Sequence, residues 1–404
     1  MALAAVAMIG AARPVGAQPQ LDSDPPYDAR LRAGPLTVAP VIRIWNAGHD
    51  SNVFNRDSVS DPKSVTTLTA SPSVALWLRS RLFRATGYAN ADTYYYKELP
   101  DLRAADTASG AQVELRLNRF IPFVDWSFSH TRHQENLEID ALARRRNDNV
   151  MAGVYLRLGS RLSVGPYMLW SRVKYDENSL FLHTDLAHVL NYESTGEGVG
   201  ARYVWTPFTM FGVQVERQRD RFTSTGDRNS DNLRVLPFVE FNPSALVSGR
   251  ATVGFQTRSF VTPGEQDFTG TVALVNLSYT FRSRTRFTIA ASRQLQYSYY
   301  EGRRDYVEGS VTVGVTRRLG DSWDVGGSLG PARLSYLESS TPATAGAPPF
   351  PDESIMTSDA DLGYNAGRTR VGFHFEYRSR QTDMPLLARG YERFRFGATL
   401  TYRF

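Results

Sequence analysis

Six histidines, at positions 49, 130, 133, 183, 188 and 374, and a full set of hydroxyls and carboxylates carry the side-chain chemistry open to this 404-residue chain, which contains no cysteine. That absence removes disulfide scaffolds, thiolate metal sites and thiol nucleophiles together. His130, His133 and Glu135 have the residue types of a zinc site, and Ser129 beside His130 pairs a nucleophile with a base. Spacing tells against both. On a strand, positions 130 and 133 face opposite sides, as do 129 and 130, and no Gly-x-Ser-x-Gly elbow surrounds the serine. A solvated loop is the simpler account, so no catalytic residue, metal ion or cofactor is expected, and the chain is not expected to be an enzyme.

Charged and aromatic groups offer more. The segment 133–146 carries Glu135, Glu138 and Asp140, followed by Arg144, Arg145 and Arg146. Folded into a channel, such a loop would set opposed charges across a constriction; left outside, it would simply be hydrated. A second set, Glu114, Arg116, Arg157, Glu216, Arg234, Glu240, Glu308, His374, Glu376, Arg395 and Arg403, falls on the polar side of alternating segments and would line an aqueous interior. Its mixed sign suits a hydrated, near-neutral cargo. Trp45, Trp77, Tyr88, Tyr155 and Phe238 fall on that same side, where flat rings could stack on sugar faces. A slip of one residue in register would turn any of them to the other face.

The elements that must position these groups are strands. From Leu36 onward, segments of ten to sixteen residues alternate apolar and polar side chains, as in Phe394, Phe396, Ala398, Leu400, Tyr402 and Phe404 against Arg395, Thr399, Thr401 and Arg403. The 22 Phe, 20 Tyr, 6 Trp and 31 Gly favour strands and turns over helices. Eight tight connections, such as Arg282 to Arg284 and Gly367 to Arg368, alternate with nine long polar ones, near 47–63, 96–106, 133–146, 177–188, 220–230, 262–267, 301–304, 338–353 and 382–390. The expectation is an all-β fold, a transmembrane antiparallel barrel of about 18 strands with short periplasmic turns and longer extracellular loops. Closure is required because in lipid every backbone group must pair internally. The tyrosines at 94 to 96, 297, 299 and 300 stand where an interfacial girdle would lie.

Residues 1–17, apolar and ending Val15-Gly16-Ala17, read as a signal peptide, 18–35 as a periplasmic segment and 36–404 as the barrel. The longest stretch without a charged residue, Ser64 to Leu78, is broken by Pro72, so no apolar spanning helix is available. With 46 basic against 41 acidic residues and no basic stripe, nucleic acid is not an expected partner.

The closing segment YERFRFGATLTYRF resembles the C-terminal strand of outer-membrane proteins, which in that class is read by the barrel-insertion machinery. The opening APVIRIWNAGHDSNVFN, with Asp50, Ser51, Asn52 and Phe54 after the first strand, resembles the start of a family of β-barrel porins, some of whose members are associated with exopolysaccharide export. The resemblance implies the outer membrane of a Gram-negative bacterium, a surround of lipid and lipopolysaccharide, and polysaccharide and periplasmic export components as partners. It favours a pore for exopolysaccharide secretion. Architecture alone points to a general diffusion porin for small solutes, and a structural or adhesive barrel comes third.

Overall fold

The computed structural model describes residues 31–57, 61–132, 137–140, 142–177, 179–242, 245–263, 267–300, 303–337, 352–382 and 389–404. The proposed leader and most of the 18–35 segment lie outside them, as do Glu135 and most of the 338–353 loop. The barrel strands are β1 (Leu36–Asp50), β2 (Val65–Arg79), β3 (Phe83–Tyr96), β4 (Ala104–Leu115), β5 (Phe120–Thr131), β6 (Arg145–Arg157), β7 (Leu162–Tyr175), β8 (Tyr192–Thr206) and β9 (Thr209–Phe222). They continue as β10 (Ser230–Phe241), β11 (Val247–Phe260), β12 (Phe268–Phe281), β13 (Thr285–Tyr297), β14 (Asp305–Leu319), β15 (Trp323–Tyr336), β16 (Glu353–Ala366), β17 (Thr369–Thr382) and β18 (Tyr391–Arg403). Each pairs antiparallel with its sequence neighbours, and β18 returns to β1, Arg403 lying opposite Val41 and Arg395 opposite Asp50. The eighteen-stranded antiparallel barrel read from the alternation is the observed fold, closed without an open edge.

Period two sorts the side chains. Leu76, Val124, Met168, Val199, Phe255, Val313, Phe373, Phe396 and Leu400 are exposed on the outer face, an apolar surface that only hydrocarbon would cover. Turn chemistry sets the register at the tight end: in the two-residue turn after β16, Gly367 takes φ 60°, a conformation glycine adopts without steric cost. In β1 the register shifts around Asn46, which takes φ 55°. This bulge exchanges the inner parity, so that Trp45 before it and Asp50 after it both face the lumen.

The tyrosine clusters depart from the girdle expectation. Tyr95 and Tyr300 are exposed, but Tyr96, Tyr297 and Tyr299 are buried, and Tyr94 packs edge-on against Trp45 at 6.4 Å. Alternation splits a run of tyrosines between lipid and lumen, so clustering alone does not place them outside. Outward aromatic pairs instead mark the tight-turn end: Trp205 with Phe211, Trp323 with Tyr364, and Tyr402 with Phe404. Leu31–Ala33, within the segment expected to precede the barrel, pairs with Leu36–Val38.

The largest packed cluster among the described residues lies at the long-loop end. The connection from β7 to β8 folds into a two-strand hairpin and a short helix α1 (Leu186–Leu190), whose Asp185 accepts hydrogen bonds from the Ala187 and His188 amides. Leu186, Val189 and Leu190 pack with Ile139, Val173, Tyr175, Phe181, Phe222, Tyr297 and Tyr299.

Candidate functional site

By strand parity, all eleven residues read as interior stand on the inner face, and the structure pairs many of them. Arg116 lies 3.5 Å from Glu114, Arg234 lies 3.7 Å from Glu216, and Glu216 also accepts from the Tyr167 hydroxyl at 3.0 Å. Arg395 donates through Nε to Glu376 at 3.0 Å. Glu240 lies 3.8 Å from Arg250, and Arg157 donates to the Asn118 carbonyl. His374 stands 3.6 Å from Asp359. Arg403 sits beside the tight turns, opposite Val41. Further pairs came from residues the alternation had not singled out: Arg393 with Asp50, Arg370 with Asp324, and Arg258 with Asp305. The wall therefore carries opposite charges within a few ångströms of each other, so that the fields of paired groups largely cancel in the lumen.

By the same parity the five aromatics also face inward, but three are buried in the wall. Trp77, Tyr155 and Phe238 are 3%, 4% and 5% exposed. Phe123 stacks against Tyr155 with centroids 5.0 Å apart, and the Arg202 guanidinium lies 4.1 Å from the centre of that ring. Phe238 is covered by Arg250 at 3.8 Å. Inner glycines make room for such rings: a Cβ at Gly198 would meet Tyr167 at 2.6 Å, and one at Gly110 would meet Tyr88 at 2.6 Å. Trp45 and Tyr88 remain half-exposed, Trp45 held by a 2.8 Å hydrogen bond to Ser71.

At the long-loop end, part of the connection after β5 reaches the far wall. Glu138 is wholly buried, accepting from Ser298 Oγ at 2.5 Å and the Tyr299 amide at 3.1 Å, while its carbonyl accepts from Arg389. Asp140 pairs with Arg380 of β17 and lies 3.7 Å from Arg389. Glu353 joins the same two guanidiniums. Glu308 of β14 accepts from the Leu137 amide. Because β14 is nine strands from β5 in the ring, residues 137–140 have crossed the lumen.

A second insertion comes from the β13–β14 hairpin. Its pairing with β12 stops at Arg293, yet β13 and β14 stay paired to Tyr297 and Asp305. Tyr297 there donates to Asp220 at 2.6 Å, Asp305 pairs with Arg258 at 2.6 Å, and residues 305–308 are all buried. The described end of the hairpin, residues 297–299 and 305–308, is buried against the inner wall.

The family described as "Putative beta-barrel porin 2" matches residues 24–404. The chain belongs to this family. Among solved structures of similar fold, the porin is 10% identical to the outer membrane protein opdK of Pseudomonas aeruginosa, covering 91% of this chain and 98% of that one with a TM-score of 0.45. It is 9% identical to OpdO of the same organism, covering 91% and 97% with a TM-score of 0.45. Against the FrpB iron transporter of Neisseria meningitidis it is 8% identical, covers 85% of this chain and 62% of the transporter, and reaches a TM-score of 0.43. Comparison with curated proteins finds no match. Barrel, lipid-facing belt and family together place the porin in the Gram-negative outer membrane.

In this porin the charges of the crossing segment do not oppose each other across a gap, as a loop with an acidic and a basic half would suggest. Arg146 stays on β6 with Asp148 at 2.8 Å, Arg145 lies over the Tyr175 ring, and Arg144 is exposed. Of its acids, Glu138 and Asp140 are described, and they meet arginines of the far wall. Asp140 and Glu353 offset Arg380 and Arg389, which leaves Glu138 as the third acid, and burial pushes its carboxyl up to about 7. Arg380, Arg389 and Glu353 were not singled out in the sequence. Asp140 and Arg380 are 240 residues apart, and no local pattern links them.

Proposed function

We propose that this porin passes hydrophilic, near-neutral solutes of limited size, through a bore whose outer mouth is narrowed by residues 137–140 and the β13–β14 tip. The pairing of many wall charges carries this reading, since a charge paired with its opposite contributes little to ion selection. Planar-bilayer recordings of the purified porin should give a reversal potential near zero in a KCl gradient. Liposome swelling should admit monosaccharides faster than longer oligosaccharides. Strong selectivity for one ion sign, or swelling independent of sugar size, would overturn it.

Exopolysaccharide export is the second reading. The partly exposed rings of Trp45 and Tyr88 favour it, because aromatic surface reachable from an inner wall suits sugar contact. It requires the crossing segment to leave the lumen during passage, and it brings in polysaccharide and periplasmic export components as partners. A neutral oligosaccharide that blocks current from the periplasmic side, with block lost in Trp45→Ala and Tyr88→Ala, would move the assignment to export.

A further inference from the structure

We propose that Asp359, His374 and Glu376 form a site on the inner wall for a divalent transition-metal ion of the zinc class. The register builds it: Asp359 of β16 lies directly opposite Glu376 of β17, and His374 is two residues along the same inner face. One ligand atom from each of the three side chains lies within 4.8 Å of the other two.

The second observation is an orphaned acceptor. The Asp359 side chain is 4% exposed, and its Oδ1 is buried without any hydrogen bond. Its other oxygen, Oδ2, accepts from Ser328 Oγ at 2.9 Å, which fixes the carboxylate plane and aims Oδ1 at His374. Leaving such an oxygen unpaired is costly. The imidazole Nε2 is 3.6 Å from it, too far for a hydrogen bond. Two ligands bound at about 2.0 to 2.2 Å to one tetrahedral ion stand about 3.4 Å apart, so the spacing matches shared coordination.

Glu376 completes the set. Both hydrogen bonds from Arg395 go to Oε1, so Oε2 can turn to a cation while the ion pair persists. One imidazole and two carboxylates form a donor set that suits zinc and its first-row neighbours, whereas magnesium and calcium prefer all-oxygen sites. His374 is part-exposed, so the ion would enter from the lumen.

Zinc titrated calorimetrically into the untagged, detergent-solubilised barrel, with magnesium in excess, tests the proposal. One zinc per chain should bind to this site, and Asp359→Asn and His374→Gln should each weaken it by about tenfold or more, with heat-modifiable mobility confirming that the variants are folded. Absence of zinc binding, or binding unchanged in both folded variants, would overturn the proposal. The chain's lack of cysteine provides a second reading if those variants fold poorly. His374→Cys should give a thiolate-to-cadmium charge-transfer band on adding cadmium, and a band suppressed by Asp359→Asn in that background would confirm shared coordination. No band in the folded His374→Cys barrel would count against the site.

Discussion

A residue's face decides what its substitution does. Leu400 is exposed to the lipid side of β18 and Thr401 faces inward. Leu400→Arg should cost about 2 to 4 kcal/mol near the bilayer midplane, whereas Thr401→Arg should be tolerated; urea titration of folded, heat-modifiable protein in lipid would measure both, and equal losses would refute the register. Exposure matters as much as facing. Both sides of the Tyr155 ring are covered by Phe123 and Arg202, whereas Tyr88 is half-exposed. If sugars stack in the bore, Tyr88→Ala should weaken oligosaccharide block by about 1 kcal/mol, and Tyr155→Ala should act on barrel stability without entering the block directly.

Among elements, the crossing segment governs the outer mouth. Asp140→Asn leaves Arg380 and Arg389 paired with Glu353 but loosens the segment's hold on the far wall, so single-channel conductance should rise. The same contact should respond to pH. Burial raises the Glu138 carboxyl from 4.5 to about 7, so the docked segment binds that proton more tightly than the released one. Docking is then strongest below about pH 4.5 and weakens as pH climbs through 7. Conductance should therefore increase from pH 5 to pH 8, and Glu138→Gln should flatten that rise. A wild-type conductance that falls over the same interval would contradict the assignment of Glu138 as the group left over beside Asp140, Glu353, Arg380 and Arg389.

At the scale of the molecule, eighteen strands and their connections put the nine long loops at one end and both ends of the barrel at the other. If that end is extracellular, an epitope inserted after Ala345, in a loop outside the described residues, should be labelled on intact cells. Labelling only after permeabilisation would invert the topology.

Strands, closure and membrane address were legible in the residues, because alternation with period two is a local property and amphipathic strands in lipid have only one way to satisfy their backbone. The facing expected of a strand residue rests on the same local rule, although the parity of Asp50 was not legible: a bulge at Asn46 moves it to the inner face. What lay beyond local pattern was decided by tertiary structure. Clustered Tyr94, Tyr96, Tyr297 and Tyr299 turned inward, and the rings of Tyr155 and Phe238 were covered by arginines two strands and one strand away. The acidic loop crossed the lumen because Arg380 and Arg389, more than two hundred residues away, waited on the opposite wall. Burying those arginines requires carboxylates to meet them, and only the closed ring brings the partners within reach.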